Sequence, residues 1–209
     1  MFPMTSSTPG SQGSSPPSQL KRELAGLLEE KRRRSAQSLL AGYRPYAKQI
    51  AFHAAGAGHR ERLLMAGNQL GKTFAGAAEL AMHLTGAYPE WWRGRQWDRP
   101  TRWWAASKTS EVTRDGVQRL LLGEPKDKGR WGEGMIPGRA LITASARAGV
   151  SNAVDSCLVR HASGGASSLG FKSYDQGREK WQGETLDGVW FDEEPPLEIY
   201  LEGLTRTNA

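Results

Sequence analysis

Cysteine is almost missing from this chain. Cys157 stands alone, so no internal disulfide can form. Histidine is scarce too: His53, His59, His83 and His161 have neither the mutual spacing nor the cysteine neighbours of a zinc site, so any metal is expected to be held by oxygen. No apolar run approaches the roughly 18 residues a membrane span requires. The first residues, rich in Ser, Pro and Gly, contain no apolar leader core. The composition reads as that of a soluble intracellular protein, and 209 residues suit one ordinary domain with a tail.

Negative charge is short at one end only. The net charge is +6, and residues 1–60 hold nine Lys or Arg against three Asp or Glu, so the rest of the chain is balanced. The basic excess reports an arm containing Lys21, Arg22, residues 31–34, Arg44, Lys48 and Arg60, and such runs are most often solvated helix faces. Residues 1–19 have almost nothing to bury and are expected to be disordered. Over residues 20–42, leucines at 20, 24, 27, 28, 39 and 40 with interleaved charge predict a basic amphipathic helical arm, interrupted near 32–35.

Beyond the arm, short apolar runs alternate with helical stretches. Strands are predicted at 62–66 (RLLMA), 101–106, 140–143, 154–161, 168–173 and 188–192, and helices at 49–55, 72–85 and 110–122. Ser110 is the expected N-cap of the last helix and Gly123 its stop. The alternation predicts an α/β domain over residues 43–209, a central sheet with helices on its faces.

The most informative stretch is Ala66-Gly67-Asn68-Gln69-Leu70-Gly71-Lys72-Thr73, between the RLLMA run and an Ala-rich helix. A strand, a glycine loop and a helix in that order are the context that a P-loop needs, in which backbone N–H groups turn inward around phosphates at a helix start. In such a loop Gly71 permits close backbone approach, Lys72 reaches the β- and γ-phosphates, and the Thr73 hydroxyl ligates Mg²⁺. The generic pattern puts its first glycine six residues before the lysine, where this chain has Ala66; Gly67 comes one place later. In the helix, Phe74, Ala77, Ala78, Ala81 and Leu84 make a stripe of mostly small apolar residues suited to lying on a sheet.

Far downstream the apolar run Gly188-Val189-Trp190-Phe191 ends in Asp192, Glu193 and Glu194. Phosphoryl transfer needs one strand-end carboxylate for the Mg²⁺ shell and often a second to orient the attacking water. Asp192 suits the first role and Glu193 the second, with Glu194 exchanging places with Glu193 if the strand ends one residue later. Upstream, Gln49 offers donor and acceptor together for an adenine edge, and Tyr46 a ring to stack on it.

These elements resemble the ATPase part of the large terminase subunit of tailed phages. The resemblance runs from residue 43 to 209 and is carried by RPYAKQIAFH (44–53), GNQLGKT (67–73), YPEWWRG (88–94), FKSYDQGREKWQGETLDGVWFDEEPP (171–196) and YLEGLTRTNA (200–209). The shifted glycine is what that family usually shows. The resemblance implies a P-loop NTPase fold of the glutamate-assisted type with a mostly parallel central sheet, incomplete at its C-terminal end, and no nuclease domain in this chain. It implies ATP and Mg²⁺ as cofactors, with Gln49, Tyr46, Gly67, Asn68, Gln69, Leu70, Gly71, Lys72 and Thr73 around the nucleotide. Thr73 and Asp192 are then the metal residues and Glu193 the catalytic glutamate. Many relatives carry an arginine inside the loop, where this chain has Asn68 and Gln69. A neighbouring subunit's arginine can act in such rings, and Arg114, Arg147 and Arg178 are the candidates, with Arg178 preferred for its place in GREKWQG. The implied partners are double-stranded viral DNA, a portal protein, a small terminase subunit and further copies in a ring, with no membrane, in the cytoplasm of an infected bacterium. The tryptophans at 91, 92, 97, 103 and 104 are expected mainly in packing. Two other readings stay open: a helicase-like or repair ATPase of the same fold, and a module that binds nucleotide without turnover.

Overall fold

The computed structural model describes residues 16–36, 38–67 and 69–207. In chain order the elements are α1 (Pro16–Ala36), α2 (Ala47–Ala55), α3 (Lys72–Thr85), β1 (Arg102–Ser107), α4 (Ser110–Val112), a π-helical stretch Thr113–Gln118, α5 (Arg119–Leu122), β2 (Leu141–Ala146), β3 (Val154–Arg160), β4 (Ala166–Ser173), β5 (Gly188–Phe191) and α6 (Leu197–Arg206). Most of the tail assigned to residues 1–19, and Asn68 of the glycine loop, lie outside the described residues.

The five strands of the sheet lie in the order β2-β3-β4-β1-β5. β1 pairs parallel with β4 on one side and β5 on the other, whereas β2, β3 and β4 pair antiparallel. The sheet is therefore mixed, which corrects the expectation of a mostly parallel one. The reason lies in the connections. Residues 147–153 and 161–165 are too short for a crossover helix, so each must reverse the chain into an antiparallel neighbour.

Burial follows the layers. Trp104, Ala105, Ala106 and Ser107 of β1 are all buried, as suits a strand covered on both faces. On one face Ala77, Ala78, Ala81 and Leu84 of α3 pack with Leu121, Leu122, Ala105, Leu169 and Phe171. On the other, Trp104, Trp181, Leu186 and Ile199 form a second core under α6. Helix α3 has the bounds expected from its small-residue stripe, and it stops at Gly86, which takes the αL conformation with φ 66°. It comes so close to β5 that a methyl group on Gly76 would lie 2.5 Å from the Trp190 ring.

Two local expectations are overturned. Residues 62–66 form no strand, and Leu63 and Met65 are about four-fifths exposed. The segment is tied to helices: Arg60 donates to the Leu204 carbonyl of α6, and Arg62 to the Phe52 carbonyl of α2. Among the described residues no strand pairs with the outer edge of β5. The arm helix α1 runs without the break expected near 32–35, and its leucines 20, 24, 27 and 28 are exposed. The helix predicted at 110–122, which α4, the π-helical stretch and α5 make up, is capped one residue earlier than expected, because the Thr109 hydroxyl accepts the Val112 N–H at 3.2 Å, and Gly123 ends it as predicted.

Candidate active site

The glycine loop is held in unusual backbone conformations. Gln69 has φ 61° and Gly71 φ 76°; a side chain on Gly71 would be strained and would also approach Gln49 Nε2 to 3.2 Å. Non-glycine residues in this region are uncommon and concentrate at functional sites. The loop curls around the head of Lys72, whose ammonium donates to the Ala66 and Gly67 carbonyls at 2.7 and 2.9 Å. Leu70 is exposed on the loop.

Helix α2 is tied to this loop from the side. Gln49 Oε1 accepts the Tyr46 N–H at 2.9 Å, and Gln49 Nε2 donates to the Gly71 carbonyl at 3.2 Å. Tyr46 stays mostly exposed beside it. A primary amide has two donors and two lone pairs, so one of each remains on Gln49.

The acidic end of β5 meets the start of α3. The Thr73 hydroxyl lies beside the Asp192 carboxylate, and both it and the Lys72 charge act to lower the Asp192 pKa. Burial raises the Asp192 pKa and the adjacent Glu193 adds to this, against the pull of Thr73 and Lys72. Glu193 has φ 70° and an exposed side chain. Beneath both, the Tyr174 hydroxyl stands 2.9 Å from the Asp192 and Glu193 carbonyls. Glu194, Lys108, Tyr174 and Asp175 border an open cavity of about 460 Å³ beside this tip. Among the described residues no cluster of three or more His, Cys, Asp or Glu side chains could hold a metal. The oxygen pair of Thr73 and Asp192 fits an ion that takes few protein ligands and keeps waters and phosphate oxygens, as Mg²⁺ does.

The structure thus brings together Gln49, Tyr46, the described loop residues Gly67, Gln69, Leu70 and Gly71, Lys72, Thr73, Asp192 and Glu193. The arginine candidates have protein partners instead. Arg178 Nε bonds Glu202 of α6 at 2.9 Å, Arg114 pairs with Asp115, and Arg147 with Asp155. Sequence reasoning missed two features. One is Tyr174, for which no pattern signalled a role. The other is Glu79, a buried carboxylate of α3 bonded to His53 at 2.6 Å, Arg62 at 2.5 Å and His83 at 3.4 Å. A lone acid inside an otherwise apolar helix stretch was its signal.

The family model described as terminase large subunit, T4likevirus-type, N-terminal, matches residues 63–209. The chain belongs to the large terminase family. Within the family it is 44% identical to the terminase large subunit of Salmonella phage P22, covering 89% of this chain and 41% of that protein. Its fold is similar to that of the large terminase of a thermophilic bacteriophage solved in complex with ADP, with a TM-score of 0.53 at 16% identity over 79% of this chain and 36% of that one. The chain spans less than half the length of these terminases.

Proposed function

We propose that this chain is the ATP-hydrolysing part of a terminase motor that drives double-stranded viral DNA into a procapsid. The observation that carries the reading is the contact between Thr73, at the start of α3, and Asp192, at the end of β5, with Lys72 beside them. A glycine loop that ends on a hydroxyl facing a strand-end carboxylate is the arrangement that phosphoryl transfer uses. The large terminase of the thermophilic phage was solved with ADP, which supports a nucleotide here.

In this reading the amides of residues 67–71 and the Lys72 ammonium hold the β- and γ-phosphates, and Lys72 leaves the Ala66 and Gly67 carbonyls to do so. Thr73 and Asp192 hold Mg²⁺, which when bound neutralises charge on the phosphate oxygens. Glu193 orients and deprotonates the attacking water from its exposed position. The free donor and acceptor of Gln49 read the adenine edge, and Tyr46 covers its face. Arg178 serves a neighbouring copy after parting from Glu202. DNA, portal, small subunit and ring formation belong to the same reading, as does a site of action in the host cytoplasm; among the described residues no helix is long and apolar enough to cross a membrane.

Lys72→Ala and Glu193→Gln are each expected to lower phosphate release by at least about 10²-fold, while Glu193→Gln keeps ATP binding and Lys72→Ala loses it. Equal loss of binding in both variants contradicts the roles given. A second reading, nucleotide binding without turnover, is favoured by the unpaired segment 62–66 ahead of the loop. It predicts ATP binding with no phosphate release at any DNA concentration.

A further inference from the structure

The rim of the sheet that carries Asp192 carries a second, differently built recess. β1, β4 and β5 run parallel, and β2, antiparallel to β3, points the same way as β4. The chain therefore leaves β2 at the same end of the sheet as Asp192, on the opposite edge. There residues 147–153 fold back on themselves, the Arg147 N–H donating to the Ala153 carbonyl at 2.8 Å. With Lys128 and Trp131 they border a cavity of about 350 Å³.

Arg147 is the unusual member of that lining. Its side chain is only 7% exposed. Its terminal nitrogens reach Ser110 Oγ at 3.0 Å, the Asp155 carboxylate at 3.3 Å and the Phe171 carbonyl. Its Nε is buried without a hydrogen-bond partner among the described residues. Native structures rarely leave a buried polar donor unmet unless a ligand or water supplies the acceptor. Lys128, exposed at the mouth, holds its ammonium 5.8 Å from the Trp131 ring centre. Among the described residues no carboxylate lines the cavity itself, and Asp155 balances the arginine from one side. A cation and an unmet guanidinium N–H are the chemistry that receives a backbone phosphate.

We propose that the recess formed by Arg147, Lys128 and Trp131 binds a backbone phosphate of duplex DNA. The phosphate chemistry stands on this lining alone; duplex DNA as its source rests on the packaging reading. The recess is joined to the acidic tip by short contacts: Arg147 to Ser110, Ser110 Oγ to Ser173 Oγ at 3.1 Å, then Tyr174, whose hydroxyl meets the Asp192 and Glu193 carbonyls.

The test is fluorescence anisotropy of a short labelled duplex titrated with the 209-residue chain over a range of salt, without nucleotide. Lys128→Ala is expected to weaken binding several-fold, equally for unrelated sequences, and to lower the salt slope by about one. Arg147→Lys, which keeps the charge but removes the buried Nε–H, is expected to weaken it as well, whereas Arg93→Ala on the 88–94 loop leaves it unchanged. If Arg147→Lys melts early, Lys128→Ala, on an exposed residue, decides alone. An unaltered affinity and slope in Lys128→Ala overturns the proposal. So does competition by inorganic phosphate or an acidic peptide for the recess, read from Trp131-dependent fluorescence, with duplex binding untouched. A chain that binds duplex through Lys128 but releases no phosphate from ATP overturns the proposed turnover and leaves the recess standing.

Discussion

A single phenol closes the acidic end of β5. The Tyr174 ring lies against Trp181 and Phe191, and its hydroxyl lies within hydrogen-bond reach of three carbonyls, those of Ala106, Asp192 and Glu193. Burial, with Asp192 and Glu193 nearby, pushes the phenol pKa far above its ordinary value, so the group stays a donor. Glu193 keeps a left-handed backbone at φ 70° directly above it. Removing the donor takes one part-buried hydrogen bond from the Asp192 and Glu193 carbonyls, worth about 1 kcal/mol. Tyr174→Phe is therefore expected to melt earlier by a corresponding amount in circular dichroism. It should also lower phosphate release more than ATP binding, since the glutamate loses its support and the glycine loop does not; equal effects on both would place Tyr174 in general stability only.

At the scale of elements, Glu79 binds three segments into one body. Its carboxylate on α3 meets His53 of α2, Arg62 of the stretch ahead of the glycine loop, and His83 one turn further along α3. Tyr43 extends the network at His53 with a 2.9 Å bond, and Tyr88 at His83 with one of 3.1 Å. Burial by itself raises a carboxyl pKa, yet the hydrogen bonds from His53, His83 and Arg62 and the Arg62 charge hold Glu79 well below the usual carboxylate range. A depressed folded value means that the contribution is fully present above the unfolded value near 4.5 and fades as pH falls from there through the folded one. Acid titration of the melting temperature should therefore show a loss below that point that Glu79→Gln flattens. At neutral pH, Glu79→Ala is expected to cost about 3–5 kcal/mol, because the arginine and imidazoles are left without their acceptor.

The same elements show what a linear reading can reach. Helix α3 was legible to the residue because Phe74, Ala77, Ala78, Ala81 and Leu84 mark its sheet-facing stripe, a local signal. The core of β1, β3, β4 and β5 was legible from their apolar runs. Residues 62–66 were not, because whether RLLMA becomes a strand depends on a neighbour for its backbone, and Arg60 and Arg62 found helices instead. The site halves were legible as motifs, since Lys72, Thr73 and Asp192 are types with few other uses in that order. Tyr174 and the Glu79 network depend on pairings across the fold, from Tyr43 to Tyr174, which no local period encodes.

For the whole molecule, the mixed sheet sets a gradient of firmness. β1 lies inside, with parallel partners on both edges and both of its faces buried. β5 has a strand on one side only among the described residues, and residues 61–67 are held by side chains instead of a ladder. Native-state hydrogen exchange is expected to be slowest in β1 and β4 and fast over 61–67, with β5 between them. Uniform protection across all three would mean that the stretch ahead of the glycine loop is paired in solution.

Lys72 and Asp192 belong to different elements, and what separates those elements is the bare Cα of Gly76 against the indole of Trp190. The spacing of the two motifs is thus machined by an omission: with no side chain at that point, helix and strand touch at their shortest reach. The part of the protein that sets the distance between the glycine loop and the acidic tip is a residue with no side chain of its own.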